Sequence, residues 1–322
     1  MSLEKTPIDI CIGTCQRPEM LKELLQSLEN QVSIENFIIR IIIVDNDTDK
    51  SAYPIVEAHQ RLSSFQIDYD MEPEKGISFV RNRAIRKVSA NYFAFIDDDE
   101  TVAENWLATM YKAMIEHQAD VVFGPVVSLL PDNAPTWART NPCFKTKRFG
   151  TGTLLKTGAT NNVMIRTRAL DEPRDEFDPT FALTGGSDTE FFYRLYCSGK
   201  KLIACDEAIV YEKIPQNRLT EKWILLRSFR KGQGYSRIFV RKYSVARKLF
   251  WGFSKSIQIF WCLASMLFVR AWSIDAYFLL KYKIYSKFGQ LTGIFGKHFL
   301  YKEYDLNKNK RLSRKKGVPR KS

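Results

Sequence analysis

Histidine is scarce in this chain of 322 residues: only three are present, and none has a motif partner nearby. This scarcity disfavours acid–base catalysis by histidine. The six cysteines form no Cys-x-x-Cys pair and have no histidine at zinc-finger spacing. In a chain of this length they predict reduced cytosolic thiols, and they argue against a disulfide framework or a structural zinc site.

Long uninterrupted apolar stretches are also missing. Lys5, Asp9 and later polar residues break up the N-terminal segment, so we expect no signal peptide. The most apolar segment, residues 249–269, contains Lys255 and Gln258. Because a spanning helix needs about 20 apolar residues, we favour a helix that lies on a membrane surface. A single membrane-inserted helix stays open as the alternative.

Acidic residues are scarce in the last third of the chain. Residues 216–322 hold 25 Lys and Arg against 4 Asp and Glu, whereas residues 1–215 hold 24 against 32. We predict a first domain over 1–215, an aromatic-rich helical region over 216–300 that binds an anionic membrane surface, and a basic, disordered tail over 301–322. A soluble helical subdomain is one alternative. A basic nucleic-acid-binding protein is another, but no recognition motif is present and we expect no nucleic-acid partner.

Apolar and polar segments alternate through the first hundred residues. The pattern predicts strands near 8–13, 38–44, 65–70 and 92–96, and helices over 18–30, 50–63 and 76–89. This order is typical of an α/β domain with a mostly parallel, Rossmann-like sheet. The polar residues that follow the first, second and fourth strands should then gather at one edge of the sheet, where such folds bind ligands.

The fourth predicted strand ends in Asp97, Asp98 and Asp99, and Glu100 follows. Clustered carboxylates repel one another and lose solvation when buried, so they do not stabilise a strand end by themselves. A divalent cation such as Mg²⁺ or Mn²⁺ relieves this repulsion, prefers oxygen ligands and also binds substrate phosphates. The cluster therefore predicts a metal-assisted enzyme with a phosphate-bearing substrate, and a solvated acidic turn is the simpler alternative.

Five short motifs share one characteristic order. They are Thr14-Cys15-Gln16-Arg17-Pro18, Val44-Asp45-Asn46, Gly76-Ile77-Ser78 with Arg81-Asn82, Ile96-Asp97-Asp98-Asp99, and Gly185-Gly186-Ser187-Asp188-Thr189-Glu190. With these motifs, residues 7–215 resemble inverting glycosyltransferase family 2, which has the nucleotide-sugar-binding α/β fold called GT-A. Within the family, the chain is similar to bacterial enzymes of exopolysaccharide synthesis, such as the succinoglycan-type glucosyltransferases.

The resemblance implies a donor site at the sheet edge. Asp99 would ligate a Mn²⁺ or Mg²⁺ ion. Asp98 would bind the ribose or assist Asp99, and Asp97 could take either of these two roles. Asp45 would accept a hydrogen bond from the base, which favours a UDP-sugar. The remaining donor contacts would come from residues along the nucleotide and its phosphates: Thr14, Arg17 and Arg81.

The resemblance also implies an acceptor site. Asp188 would be the general base that deprotonates the acceptor hydroxyl, with Glu190 as a substitute, because many members have Glu-Asp where this chain has Ser187-Asp188. The sugar pocket would add the following residues: Asn161, Asn162, Gly185, Gly186 and Trp137. Each of these is also compatible with a structural role, such as a helix N-cap for Asp188.

One further enzyme class fits the acidic motif. Asp97 and Asp99 match the Asp-x-Asp-x-Thr pattern of haloacid-dehalogenase-like phosphohydrolases, although that family usually has glycine where Glu100 stands. Our first hypothesis is a metal-dependent hexosyltransferase in cell-surface polysaccharide biosynthesis. It would move a sugar from a nucleotide-sugar donor to a saccharide or lipid-linked saccharide, as a peripheral protein at the cytoplasmic face of the bacterial inner membrane.

Overall fold

The computed structural model describes residues 5–171 and 175–294. The predicted tail, residues 301–322, lies outside the described residues. Within them, an α/β domain is followed by a helical region, which confirms the predicted fold class. The predicted boundary at residue 215 falls in the segment between the last strand and the first helix of that region.

The strands and helices of the described residues have the following bounds. The strands are β1 (Thr6–Thr14), β2 (Phe37–Asp45), β3 (Gln66–Met71), β4 (Tyr92–Asp97), β5 (Glu100–Val102), β6 (Val121–Phe123), β7 (Val126–Leu129), β8 (Asn162–Arg166), β9 (Leu202–Ala204) and β10 (Val210–Lys213). The helices are α1 (Pro18–Glu29), α2 (Tyr53–Gln60), α3 (Ile77–Lys87), α4 (Trp106–Glu116), α5 (Thr136–Thr140), α6 (Ser187–Cys197), α7 (Glu221–Tyr235), α8 (Val245–Val269) and α9 (Ile274–Gly293). A π-helical segment, Ser236–Val240, extends α7.

The main sheet has the strand order β3-β2-β1-β4-β8-β6-β9. Strands β3, β2, β1 and β4 are mutually parallel, and β8 runs antiparallel to both of its neighbours. A smaller sheet has the order β5-β10-β7. In the main sheet, Gly13 pairs with Asp97 and Thr14 pairs with Asp45, so the polar ends of β1, β2 and β4 lie side by side.

Helices cover both faces of the main sheet. On one face, Leu21, Leu24, Leu25 and Leu28 of α1 are fully buried at helical spacing, beside the buried ring of Trp106. The other face packs against α3 and α6. Because both faces of the sheet are covered, β2 is apolar on both faces, and its sequence is an almost continuous run of β-branched residues. The four strands and three helices predicted for the first hundred residues are all present.

Glycines allow α7 and α9 to pack very closely. A Cβ atom on Gly289 would overlap the carbonyl oxygen of Phe229, and one on Gly232 would overlap the carbonyl oxygen of Ser286. The Ser228 hydroxyl also donates a 2.7 Å hydrogen bond to the Tyr282 carbonyl oxygen across the same interface. Helix α8 also packs against α9, so α9 contacts both α7 and α8.

We predict that Gly289→Ala destabilises the protein, because the added methyl group meets backbone that cannot move away. Such overpacking lowers the free energy of unfolding by about 1–3 kcal/mol, which urea denaturation measures. Gly252→Ala in α8 is the matched control, since its Cβ would lie 3.8 Å from the nearest atom, Leu291 Cδ2. The control should be neutral or slightly stabilising. Equal stability of the two variants would contradict the close packing.

Candidate active site

A cavity of about 580 Å³ opens at the carboxyl ends of β1 and β4. We call it the acidic cavity, because its wall includes six carboxylate side chains: Asp97, Asp98, Asp99, Glu100, Asp188 and Glu212. The predicted residues Thr14, Arg17 and Arg81 also line it. The structure therefore brings together most of the residues that the sequence suggested for a donor site.

Hydrogen bonds connect the loop after β1 to the loop after β4. The Thr14 hydroxyl donates to Asp98 Oδ2 at 2.8 Å, and Arg17 Nη1 lies 3.1 Å from Asp98 Oδ1 and 3.2 Å from Asp99 Oδ2. Arg17 itself is about one-third exposed, with 34% of its side-chain surface open to solvent. The arginine therefore neutralises part of the aspartate charge and remains accessible to an anionic ligand.

A third arginine, which the sequence did not predict, also contacts the acidic cluster. Arg218 donates from Nη2 to Asp99 Oδ2 at 3.1 Å and from Nη1 to Glu212 Oε1 at 2.7 Å. Glu212 belongs to β10, more than a hundred residues after the aspartates in the chain. Nothing local in the sequence marks Arg218 or Glu212, because only the tertiary fold brings them to the cavity.

Glu100 is the most deeply buried carboxylate of the cluster, whereas the Asp97 side chain keeps 43% of its surface exposed. The backbone N–H of Asp97 donates to Glu100 Oε2 at 3.2 Å, and Asn161 Nδ2 donates to Glu100 Oε1 at 3.0 Å. Arg81 lies 3.9 Å from Asp97 and donates to the Ser187 hydroxyl at 3.2 Å. Arg81 is thus a buried residue of the site, and it links the acidic cluster to the start of α6.

Burial and mutual repulsion alter the acidity of these carboxyl groups. Desolvation, with the nearby charge of Asp99, raises the pKa of Asp97 to about 7 and that of Asp98 to about 6. Desolvation also raises the pKa of Glu100 well above its usual value. A bound cation would lower these pKa values again, because it stabilises the ionised forms.

The donor set suits a hard divalent cation. Among residues 5–171 and 175–294, no three His, Cys, Asp or Glu side chains already converge as a ligand set. Mg²⁺ and related ions, however, are usually held by one or two carboxylates together with water and substrate phosphates. A site in which Asp99 is the main protein ligand therefore fits the residues present.

Asp188 lies at the first turn of α6, facing the acidic cavity. Gly185 and Gly186 precede the helix with φ values of 78° and 96°, a conformation that favours glycine. The N-cap of α6 is Gly186, so the alternative role of Asp188 as N-cap is wrong. One Asp188 oxygen, Oδ1, accepts a 2.8 Å hydrogen bond from the Thr189 N–H. This bond orients the carboxylate at the cavity wall.

A second cavity of about 950 Å³ adjoins the acidic cavity. The two share Asn161, Gly185, Gly186, Asp188 and Arg227 in their walls. We call it the basic cavity, because lysine and arginine side chains from the segment 145–156 and from α7 line it. Asp188 therefore stands where two compartments of opposite charge meet.

Two predicted ligands are buried structural residues. Asp45 is 0% exposed, and its carboxylate accepts hydrogen bonds from Asp47 N, Ala52 N and the Tyr69 hydroxyl. It presents no surface to a base, and the adjacent Asn46 lines the cavity instead. The predicted contact between Asp45 and a nucleobase is therefore not retained.

Asn162 is likewise committed to the protein interior. Its Nδ2 donates to the carbonyl oxygens of Pro125 and Ala208 at 2.9 Å, and its Oδ1 accepts from Trp106 Nε1 at 2.8 Å. Both amide hydrogens and the amide oxygen therefore already have protein partners, although Asn162 also borders the basic cavity. Asn161, the preceding residue, faces both cavities and keeps its predicted position.

Two other predicted residues lie away from both cavities. Trp137 stacks on Phe278 of α9, with ring centroids 4.9 Å apart, and so ties α5 to the helical region. Glu190 pairs with Arg194 one turn later in α6, at 3.3 Å. Neither residue is in the wall of either cavity. The structure therefore separates Trp137 and Glu190 from the site, and Asp188 is the carboxylate that reaches it.

Comparison with known proteins decides the family. The profile of glycosyl transferase family 2 matches residues 9–172. The chain belongs to glycosyl transferase family 2. It is also 34% identical, over 242 residues, to the succinoglycan biosynthesis protein ExoM of Rhizobium meliloti, covering 75% of this chain and 78% of ExoM. The enzyme is therefore a glycosyltransferase, as predicted, and neither the phosphohydrolase nor the nucleic-acid-binding alternative finds support.

Solved structures agree on the fold. The chain is similar to S. aureus TarS 1–349 in complex with UDP, with a TM-score of 0.52, 14% identity and coverage of 96% of this chain and 92% of that one. The complex of TarS 1–349 with UDP-GlcNAc gives a TM-score of 0.50 at 13% identity. The chain spans 54% of a longer TarS chain. At this level of identity, the likeness supports the GT-A fold alone.

We predict that Asn162→Ala strongly destabilises the protein. The substitution leaves the Ala208 carbonyl oxygen and the buried Trp106 N–H without their Asn162 partner, and each such loss costs about 1–3 kcal/mol. The Pro125 carbonyl oxygen keeps its hydrogen bond from the Val210 N–H. The expected fall in the free energy of unfolding is about 3 kcal/mol or more, measured by urea denaturation. Asn161→Ala, at the cavity wall, is the control and should have a clearly smaller effect. A mild effect at Asn162 would contradict its structural role.

Proposed function

We propose that this enzyme transfers a sugar, with inversion, from a UDP-sugar to a hydroxyl group of a saccharide or lipid-linked saccharide in cell-surface polysaccharide biosynthesis. The observation that carries the proposal is the position of Asp188, which faces the acidic cavity and also lines the adjoining basic cavity. A donor in the first compartment and an acceptor in the second would meet beside one carboxylate. The names of ExoM and of the TarS complexes with UDP and UDP-GlcNAc support this class of donor and product.

The acidic cavity is proposed to hold the nucleotide diphosphate. Asp99 would hold a Mn²⁺ or Mg²⁺ ion, which supplies charge neutralisation for the departing diphosphate when it is bound. Asp98 and Thr14 would contact the nucleotide, and the partly exposed Arg17 would pair with phosphate oxygens as a bidentate donor. Arg81 and Asp97 would border the sugar between the diphosphate and Asp188.

The transfer itself needs one displacement at the anomeric carbon. The acceptor oxygen attacks C1 of the sugar and forms the new bond while the bond from C1 to the diphosphate oxygen breaks. The electron pair of the broken bond leaves with UDP, and the acceptor proton passes to the Asp188 carboxylate. Attack from the side opposite the leaving group inverts the anomeric configuration, and general-base assistance of this kind typically contributes about 10²–10⁴-fold.

A thermal-shift screen of nucleoside diphosphates, with and without Mn²⁺, tests the donor and the cation together. We expect UDP with Mn²⁺ to raise the melting temperature most, because ligands that bind only the folded state stabilise it. Asp99→Ala should remove the Mn²⁺-dependent part of the shift. An equal shift by UDP in wild type and Asp99→Ala would contradict the metal role, and no shift by any nucleotide would contradict the donor site.

Asp188→Asn should abolish transfer while UDP binding persists. The amide keeps the size of the side chain but cannot accept the proton, so we expect transfer to fall about 10²–10⁴-fold. Product formation is followed by chromatography, and UDP affinity by calorimetry. Glu190→Gln is the matched control, since Glu190 lies outside both cavities, and it should retain transfer. Normal transfer by Asp188→Asn would remove this residue from the mechanism.

We also propose that helices α8 and α9 hold the enzyme on an anionic membrane surface. Helix α8 is long and apolar enough to cross a membrane by length and composition, but it carries Arg247, Lys248 and Lys255 and no acidic residue. Its outer side exposes large apolar side chains, including Phe250 at 74% and Phe253 at 66%. Basic and apolar groups on one helix favour an interfacial position, on the cytoplasmic face where anionic lipids are attracted to lysine and arginine.

Replacing exposed phenylalanines of α8 should weaken membrane binding. The double variant Phe253→Ser/Phe260→Ser removes two side chains from one face of the helix, and we expect about tenfold or more weaker co-sedimentation with phosphatidylglycerol vesicles. The control, Leu62→Ser/Leu154→Ser, removes exposed leucines elsewhere and should bind normally. Unchanged vesicle binding, together with loss of a dimer in light scattering, would instead assign this face to a second copy of the chain.

A further inference from the structure

Six cationic side chains line the basic cavity: Lys145, Lys147, Lys156, Arg227, Arg230 and Lys231. Three acidic residues share its wall, and two of them already have arginine partners. Arg148 Nε lies 2.7 Å from Asp206 Oδ1, and Arg218 Nη1 lies 2.7 Å from Glu212 Oε1. The cavity therefore keeps an excess of positive charge beside Asp188.

Two of these lysines form no ion pair with a carboxylate in the part of the chain that the structure describes. Within residues 5–171 and 175–294, no carboxylate forms an ion pair with Lys147 or Lys231, and both side chains are open to solvent. Although Lys231 keeps part of its surface exposed, partial desolvation at the cavity wall lowers its pKa. The charges of Arg227 and Lys147 lower this pKa further, whereas Cys143 and Asp188 raise it. The fold thus holds several like charges close together, an arrangement that an anionic ligand would stabilise.

An aromatic contact joins this cavity to the membrane-facing helix. Tyr235 lines the cavity, and its ring is nearly parallel to Trp251 of α8, with centroids 6.3 Å apart and an angle of 10°. Phe239, also in the wall, lies 5.0 Å from Tyr235. Aromatic side chains therefore extend from the wall of the basic cavity to Trp251 of α8.

We propose that the basic cavity binds the diphosphate group of a lipid-linked acceptor, with Lys147 and Lys231 contacting phosphate oxygens and the lipid chain leaving along Tyr235 and Trp251. The inference rests on the proposed function, because it takes Asp188 as the base for the acceptor hydroxyl. A diphosphate has more negative charge and more acceptor oxygens than a single carboxylate, so it is better matched to the six cationic side chains of the basic cavity. Because Asp188 lines the same cavity, the reacting hydroxyl lies only one or a few sugar residues from the diphosphate. The substrate class is a short saccharide on a lipid diphosphate.

Farnesyl diphosphate is the probe, titrated calorimetrically into the full chain in the presence of saturating UDP and Mn²⁺. Filling the acidic cavity first keeps the probe out of the donor site. We expect Lys147→Gln/Lys231→Gln to bind the probe about tenfold or more weakly than wild type, because charge-assisted contacts to phosphate are lost. The control Lys22→Gln/Lys112→Gln removes the same charge from exposed positions on α1 and α4 and should bind as wild type does.

Titrations with inorganic pyrophosphate and with farnesol measure the contributions of the diphosphate and of the lipid chain separately. Pyrophosphate should bind more weakly than farnesyl diphosphate, and farnesol should not show the dependence on Lys147 and Lys231. Equal affinity of wild type and Lys147→Gln/Lys231→Gln for farnesyl diphosphate would overturn the proposal, as would equal affinity for the two diphosphates. A titration of UDP with Mn²⁺, made before the probe is added, tests the proposed function separately. If that function is wrong, UDP itself will not bind.

Discussion

Parallel pairing of β1 with β4 is the interaction on which the rest of the site depends. Its register sets Gly13 opposite Asp97, so the residues that follow the two strands emerge together. The Thr14–Asp98 hydrogen bond and the contacts of Arg17 with Asp98 and Asp99 follow from this register. A shift of one residue would turn every side chain to the opposite face. The buried apolar residues within the strands therefore also fix the polar residues at their ends.

The site consists of two adjoining cavities that carry opposite charge. The acidic cavity concentrates carboxylates and balances them incompletely with Arg17, Arg81 and Arg218. The basic cavity concentrates lysine and arginine from α7 and the segment 145–156. Asp188 lies in the walls of both cavities. In the proposed mechanism, a cation-bound donor and an anionic acceptor would approach this carboxylate from different sides. Close packing of α7 on α9 also connects the basic wall to the helices that we propose to bind the membrane.

The sequence predicted most of the fold and part of the site, for identifiable reasons. Strands β1 to β4 are buried β-branched or apolar runs, and their polar ends gather because parallel strands share one edge. The short strands β5, β7 and β10 were not predicted, since three- or four-residue segments with distant partners leave little pattern. Arg218 was missed for the same reason. Asp45, Asn162 and Trp137 were assigned from the family resemblance, which does not tell whether a side chain in this chain faces a cavity or the interior.

The most direct test of the central claim is a crystal structure of the full chain with UDP and Mn²⁺, with the ion located by its anomalous scattering. We expect a manganese peak between the Asp99 carboxylate and the UDP diphosphate, with the nucleotide in the acidic cavity and Asp188 facing the terminal phosphate across open space. A nucleotide bound elsewhere, or an ion that contacts neither Asp99 nor the diphosphate, would contradict it.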